Sequence, residues 1–508
     1  LSALPHRGRP MKAHSPSRRR ALQQLAGLTA LGAINALRLP RVLAADPPGR
    51  LSIPGISGKI IRRQDPDYEL WRQSMVWHMS KPKRYPDLIV QAGSETDVAE
   101  AVKYAAANQL KVALRSGGHN STGSSLRDGG LLIDVSGMGG IQIDETRQVA
   151  SIQPGVRSLE LVTAARSKGL SFPVPHCPSV GLAGFTLGGG IGWNYAQRGG
   201  MSTHSIAGAE VVTADGRRLQ ATPTENPDLY WAVRGAGPGF FGAVTRLDLQ
   251  LYPVPRSIMA SSYIFALADL ETVTTTLDKI RKEHDVGRVE LITVLMHHPE
   301  APADAPSAEA KICFFTAFVF EDTEQTALAA LAPFAQSDLA TKCLVKMENQ
   351  PYEFEGLYER YFSPRDPAGR CARYAVDNIL TNQGGQALQA LAQHFLDAPT
   401  RDCHVLASSN MQTRSLPDSC FSWAIDCYLG CYAIWDLEQD DERIFNWLDK
   451  TLPLMDPFAE GHYVNEVEGR RHPNRYRLCY SEDNWQRLQA LRGQFDPAGV
   501  FHTYLGNS

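Results

Sequence analysis

The sequence predicts an α+β fold, and three stretches predict it. Residues 87–91 read as a strand, 94–110 as a helix and 111–115 as a second strand. Residues 131–252 carry short apolar strands and a hairpin signal at Asp215 and Gly216. Residues 257–455 then mix helical runs with alternating, strand-like ones.

Each element has a local reason. In the first helix Ser94 or Thr96 can cap the start, and Val98, Ala101, Val102 and Ala105 form an apolar stripe at helical spacing. Short strands are expected at 131–135, 141–143 and 149–155, and a helix over 158–169 closed by Gly169. Residues 207–214 read as a strand entering the hairpin, 222–234 as a loop leading into a short helix, and 243–252 as a strand. Pro253 and Pro255 mark a boundary. Beyond it, 269–282 and 324–335 read as helices and 290–296 and 311–320 as strands. Residues 420–435 alternate and read as one strand, with Phe421, Trp423, Ile425 and Cys427 on one face and Ser422, Asp426, Tyr428 and Tyr432 on the other. An amphipathic helix broken at Asp496 and Pro497 ends the chain. The organisation expected is a segment 1–45, a domain over 46–255, a second over 256–455, and a segment 456–508 that returns to complete the first.

With 508 residues, 43% hydrophobic and 21% charged, the chain can bury cores for about two to four domains. A formal charge of −3 with mixed signs gives no basic footprint for nucleic acid. No apolar run long enough to span a membrane follows the N-terminal region. At the N-terminus, Arg18 and Arg19 precede an apolar run from Leu25 to Leu37 and small residues at 42–45. That pattern resembles a twin-arginine export signal and implies a periplasmic or secreted protein that folds, with any cofactor, before it crosses. The nine cysteines then permit disulfides, but their spacing fixes none, and no CxxC suggests a metal site.

The chemistry points to two glycine-rich loops. Residues 115–122 place two glycines, an arginine and a histidine among hydroxyl groups, a composition whose backbone N–H groups can form a concavity for phosphate. In residues 172–200, Cys177 is followed by eight glycines, which let backbone approach a large ligand closely. A nicotinamide-dinucleotide fingerprint fails on spacing. Gly188 and Gly190 would need a glycine where Trp193 stands, and Gly235 and Gly237 one where Phe240 stands.

Five motifs in order, RSGGHNSTG (115–123), HCPSVGLAGFTLGGGIGW (176–193), ENPDLYWAVRGAGPGFFGAVT (225–245), YVN (463–465) and FDPAGVF near the end, resemble the berberine-bridge-enzyme-like flavoproteins of the vanillyl-alcohol-oxidase superfamily. The resemblance implies a PCMH-type FAD-binding domain of two α+β subdomains and an α+β substrate domain with an antiparallel sheet. It also implies FAD attached twice, through His119 to the flavin 8α-methyl carbon and through Cys177 to ring carbon 6. Arg115, Ser116, Gly117, Gly118, His119, Asn120 and Ser121 would cradle the cofactor. Cys177, Val180, Gly181, Gly184, Gly188, Gly189, Gly190, Gly192 and Asn465 would do so with them. Val180 occupies the family's oxygen-gate position, where valine resembles an oxidase and leucine a dehydrogenase.

The family's YxNY motif departs here, because Glu466 stands where related oxidases carry the last tyrosine. A carboxylate within reach of a substrate hydroxyl can act as its base. Glu466 is therefore one candidate base, with Tyr463 and Asp426 as the others. The activity implied is oxidation of an alcohol, on an oligosaccharide or similar hydroxylated compound, with molecular oxygen as acceptor. The alternatives are a dehydrogenase or oxidative-cyclisation enzyme acting on a secondary metabolite, and a flavin-binding protein altered in its chemistry.

Overall fold

Helix 95–107 sets the frame. Its Ser94 side chain accepts a hydrogen bond from Asp97 N at 3.1 Å, and Val98, Ala101, Val102 and Ala105 are fully buried. A computed structural model describes residues 51–198, 200–302, 304–358, 372–411 and 416–506. The twin-arginine pair and the expected cleavage region lie outside these residues.

Strands β1 (Lys59–Arg62), β2 (Leu88–Gln91), β3 (Val112–Arg115) and β4 (Leu131–Asp134) form a sheet in the order β1-β2-β4-β3, with β2, β4 and β3 parallel. The parallel arrangement follows from the strand–helix–strand connection, since parallel neighbours need a crossover. Val112 bridges Phe501 at the edge of β3, so the segment around Phe501 lies against the first sheet.

A second sheet contains β5 (Ile141–Asp144), β6 (Val149–Ile152), β8 (Ile206–Val212), β9 (Arg218–Ala221) and β10 (Ala243–Gln250), in the order β5-β6-β10-β8-β9. The expected hairpin joins β8 to β9. A separate two-stranded sheet pairs β7 (Leu170–Ser171) with β11 (Tyr252–Pro253). Val212 and Ala243 pack into the same core as helix 95–107, which ties the first two sheets together.

The third sheet is antiparallel and seven-stranded: β12 (Ser257–Ala266), β13 (Glu290–His297), β14 (Lys311–Glu321), β15 (Val345–Tyr352), β16 (Arg373–Thr381), β17 (His404–Ser409) and β18 (Cys427–Trp435). Their order is β15-β12-β14-β13-β17-β18-β16. Helices Leu270–Glu283, Glu324–Ala335, Gly384–Phe395 and Asp441–Met455 cover one face. Because successive strand residues point to opposite faces, Cys427, Leu429, Cys431, Ala433 and Trp435 pack under the helices. Tyr428, Tyr432 and Ile434 face the other way.

Two expectations are corrected. The strand expected over 420–435 begins at Cys427, because residues 420–426 are held off the sheet: Phe421 N donates to Arg234 O at 2.9 Å and Met411 N to Asp426 O at 2.9 Å. The helix at 158 ends at Arg166. No disulfide joins the described cysteines, and among the described residues no helix is long and apolar enough to cross a membrane.

Candidate active site

A cavity of about 410 Å³ lies where the two glycine-rich loops meet the helix-free face of the third sheet, beside the part of that face that packs on Leu161, Leu182 and Trp193. Period-2 alternation on three adjacent strands builds one wall: Tyr374 and Val376 from β16, His404, Leu406 and Ser408 from β17, and Tyr428, Tyr432 and Ile434 from β18. The other walls come from loop 115–125, loop 175–187, residues 237–244, and the segment 463–466.

The two glycine-rich loops touch backbone to backbone. A Cβ on Gly117 would fall 2.6 Å from Gly181 N, and one on Gly181 would fall 2.6 Å from Gly117 N, so neither position has room for a side chain. This approach brings residues far apart in sequence together. His119 Nε2 lies 2.9 Å from Ser179 Oγ, and Cys177 Sγ lies 3.3 Å from the same oxygen. The His119 ring stacks on Trp77, with centroids 4.2 Å apart and planes at 20°. Burial, helped by Arg157 and then Arg115, pushes the His119 pKa down to about 3, so at neutral pH the ring is an uncharged imidazole with a lone pair to offer.

The segment after Tyr463 is pinned from behind. Asn378 of β16 brackets Tyr463, accepting from its N–H at 2.7 Å and donating to its carbonyl at 3.1 Å. Arg475 in turn donates to the Asn378 carbonyl and pairs with buried Asp377 at 3.0 Å and with Asp456. The Tyr463 hydroxyl accepts from Gly190 N at 3.1 Å and Asn465 Nδ2 at 2.9 Å. Asn465 Nδ2 also donates to Phe185 O, and Asn120 Nδ2 donates to Asn465 O at 3.0 Å. The Tyr463 side chain therefore works as a brace between the glycine-rich loop at 188–190 and this segment.

Glu466 stands at the end of the brace. Its Oε2 accepts from Tyr428 Oη and, at 3.0 Å, from Tyr432 Oη, while the two phenol oxygens are 2.8 Å apart. Oε1 has no hydrogen-bond partner among the described residues. Burial raises the Glu466 pKa, and the bonds from Tyr428 and Tyr432 oppose that rise in part. Tyr432 is itself held in place by the His404 ring, stacked at 4.7 Å and 5°.

Most of the expected site residues meet here. Arg115, Ser116, Gly117, Gly118, His119, Asn120, Ser121, Cys177, Val180, Gly181, Gly184, Asn465, Tyr463 and Glu466 all line the cavity. Gly188, Gly189, Gly190 and Gly192 are not among its lining residues. They sit one layer back, where Gly188 packs against the Asn465 side chain and Gly190 N donates to Tyr463. Arg115 turns its guanidinium to Asp134 at 3.1 Å and to the carbonyls of Ser74 and Gly117, so it shapes its loop. Asp426 is the clear correction. It does not line the cavity, because its carboxylate is paired with Arg281 at 2.6 Å and its N–H donates to Asn382.

Sequence reasoning assigned no role to Tyr428, Tyr432, Tyr374, His404, Trp77 or Ser179. The i, i+4 spacing of the two phenols on one strand face was the available signal for the first pair. Nothing local signals the others.

The residues present fit a flavin cofactor. Gly184 lines the cavity, is exposed, and would carry a Cβ into open space, so ligand can approach its backbone. Ser121 Oγ is buried, lines the same cavity and has no hydrogen-bond partner among the described residues, which leaves it available to a polar ligand group.

Comparison with known proteins agrees. Residues 86–222 match the model of an FAD binding domain. The chain is 28% identical over 438 residues to the FAD-linked oxidoreductase janO of Penicillium janthinellum, covering 85% of this chain and 93% of that protein. The solved structure of 6-hydroxy-D-nicotine oxidase from Arthrobacter nicotinovorans superposes with a TM-score of 0.76 at 24% identity, covering 90% of this chain and 100% of that one. Berberine bridge enzyme from Eschscholzia californica superposes at 0.72 and 18% identity, covering 88% and 95%. The chain thus carries an FAD-binding domain, is related over most of its length to an FAD-linked oxidoreductase, and has the fold of the berberine-bridge-enzyme-like flavoproteins.

Proposed function

We propose that this chain is an exported, FAD-dependent oxidase that removes a hydride from an alcohol carbon. Residues 46–255 and 456–508 hold the cofactor in this reading, and 256–455 supply the substrate wall. The observation that carries it is the meeting of His119, Cys177 and Glu466 on one cavity. His119 and Cys177 attach the flavin at two points, so the cofactor stays in place beneath a wide cleft. FAD held there by His119, Cys177 and the two glycine-rich loops would supply the two-electron acceptor for the hydride, with dioxygen as the final oxidant and hydrogen peroxide as its product.

Glu466 takes the hydroxyl proton. Its Oε2 is occupied by two phenols, which fix the carboxylate plane and leave Oε1 as the oxygen to receive the proton. Burial makes the carboxylate more basic than an ordinary one, and the hydrogen bonds donated by the two neutral phenols stabilise its charge in part. Tyr463, Asn465 and Asn378 hold the Glu466 backbone at a fixed distance from the cofactor loops. Val180 lines the cavity, and in this reading its small side chain is what admits oxygen to the cofactor.

The substrate is a hydroxylated compound such as an oligosaccharide. Aromatic rings at Trp77, Tyr374, Tyr428 and Tyr432 can stack on sugar faces. The same aromatic wall favours a second reading, an alcohol on an aromatic secondary metabolite, and a solved structure of this fold is named as an oxidase of 6-hydroxy-D-nicotine. A panel of oligosaccharides and aromatic alcohols, read by hydrogen peroxide release and by anaerobic bleaching of flavin absorbance, separates the readings. Bleaching that is reversed by a quinone and not by air replaces the oxidase with a dehydrogenase. Protein purified without flavin, and unable to bind FAD, sinks the proposal.

A further inference from the structure

We propose that Ser179 is a shared positioning residue for the two flavin-linking side chains: its hydroxyl decides which nitrogen of His119 is left to bond, and holds the Cys177 sulfur ready beside it. The inference rests on the double attachment proposed above. It adds a residue that neither linkage by itself requires.

The geometry starts from one oxygen with two neighbours. Ser179 Oγ is 2.9 Å from His119 Nε2 and 3.3 Å from Cys177 Sγ. A neutral imidazole carries a single N–H, and the partner of one ring nitrogen selects the tautomer. Nε2 is spent on Ser179, whereas Nδ1 has no hydrogen-bond partner among the described residues. With Nε2–H donating to Ser179 Oγ, the lone pair stays on Nδ1, and the Trp77 stack fixes the plane in which it points. The hydroxyl still has its own hydrogen, and Cys177 Sγ is the acceptor next to it. A donated hydrogen bond favours the thiolate, which is the reactive form of the sulfur. With Cys177 as the thiolate accepting from Oγ–H, Oγ is left to accept from Nε2–H, so the chain Nε2–H to Oγ–H to Sγ runs in one direction and each bond polarises the next.

The backbone on both sides of Ser179 is fixed. Pro178 O accepts from Leu159 N at 3.1 Å and Val180 O from Ser158 N at 2.9 Å, so the first turn of helix Ser158–Arg166 clamps both neighbours. Gly181 is held against Gly117. A hydroxyl on so constrained a loop cannot follow a displaced imidazole. It sets where the imidazole goes.

The bond changes balance. The His119 link joins Nδ1 to the 8α-methyl carbon in place of one C–H. The nitrogen proton to be lost is then the one on Nε2; it leaves through Ser179 Oγ, whose own proton passes to the Cys177 thiolate, and the resulting thiol releases it to solvent before the sulfur reacts. The Cys177 link joins Sγ to ring carbon 6, again in place of one C–H. In each case the electron pair of that C–H is left on the flavin and passes to dioxygen, the oxidant of the proposed activity, and the protons go to solvent.

Threonine and valine have nearly the same shape, so the pair Ser179→Thr and Ser179→Val reads the hydroxyl alone. The full-length apoproteins are mixed with FAD in air, and samples are denatured at intervals. Acid-precipitated flavin gives total attachment, and peptide masses give attachment at His119 and Cys177 separately. The inference expects Thr to attach at near the wild-type rate and Val to be slower by about tenfold at both residues, the effect of one hydrogen bond, with flavin still bound before denaturation. Equal rates in both variants, or equal losses in both, overturn it. Wild-type protein that binds FAD but releases all of it on denaturation refutes the double attachment itself. A doubly attached wild type with an unaffected Val variant refutes only the role of Ser179.

Discussion

Replacing Glu466 by glutamine isolates the base from the scaffold around it. The amide oxygen can still accept from Tyr428 and Tyr432, as Oε2 does now, so the phenols and the Tyr463 brace keep their places. What the amide cannot do is take a proton at the position of Oε1. Loss of a positioned general base costs about 10²–10⁴ in rate, equivalent to about 3–5 kcal/mol of barrier at 1.36 kcal/mol per tenfold. The assay is anaerobic stopped-flow reduction of the flavin by a substrate from the panel, which reads the step before oxygen. A Glu466→Gln variant that reduces its flavin within about twofold of wild type refutes the base assignment, since twofold is far below that range. The pH dependence gives an independent reading. Burial raises the Glu466 pKa, and the base works when ionised. The wild-type reduction rate therefore climbs with pH through a value above the ordinary carboxylate range of about 4.3, and the variant has no such limb. Stability moves the opposite way. Between the unfolded and the folded pKa the native state keeps a proton that the unfolded chain has released, so this group's contribution falls as pH rises through that window. Thermal unfolding from acid to neutral pH should lose less stability in Glu466→Gln than in wild type.

Three further outcomes test the other parts of the site. His119→Ala and Cys177→Ala should each leave flavin attached through the remaining residue, and the double variant should release all of it on denaturation, read by gel fluorescence and peptide mass. Val180→Leu should slow reoxidation by air while leaving anaerobic reduction near wild type; a variant reoxidised at the wild-type rate removes Val180 as an oxygen gate. Gly188→Ala should destabilise the protein by about 1–3 kcal/mol, seen as a lower denaturant midpoint, because the new Cβ would fall 2.0 Å from Asn465 Oδ1 and displace the side chain that bonds Phe185 and Tyr463.

The parts of this site that can be read from sequence are those with a local cause. The 95–107 helix shows its cap and stripe within one segment, and the loops at 117 and 181 show their glycines because close backbone contact excludes a side chain. The alternation of β18 is also visible, and it correctly sets Tyr428 and Tyr432 against Cys427 and Cys431. Asp426 failed on the same pattern. It has the parity of Tyr428, but parity binds only residues inside the strand, and the chain leaves the sheet before 427, where Asp426 meets Arg281.

What stayed hidden is contact across distance. Glu466 reaches Tyr428 over a separation of 38 residues, and His119 reaches Ser179 over 60. No periodicity relates the members of either pair, because they are brought together by sheet order and by two loops in backbone contact. The chemistry of a side chain is legible in its type, whereas its partner is decided by topology. Glu466 illustrates the difference. As the residue replacing a tyrosine it reads as a departure from a motif, and that reading treats the phenol as lost. In the folded chain the neighbouring strand supplies two phenols to the same carboxylate. Residue 466 brings a carboxylate, β18 brings the phenols, and the cavity holds both kinds of group.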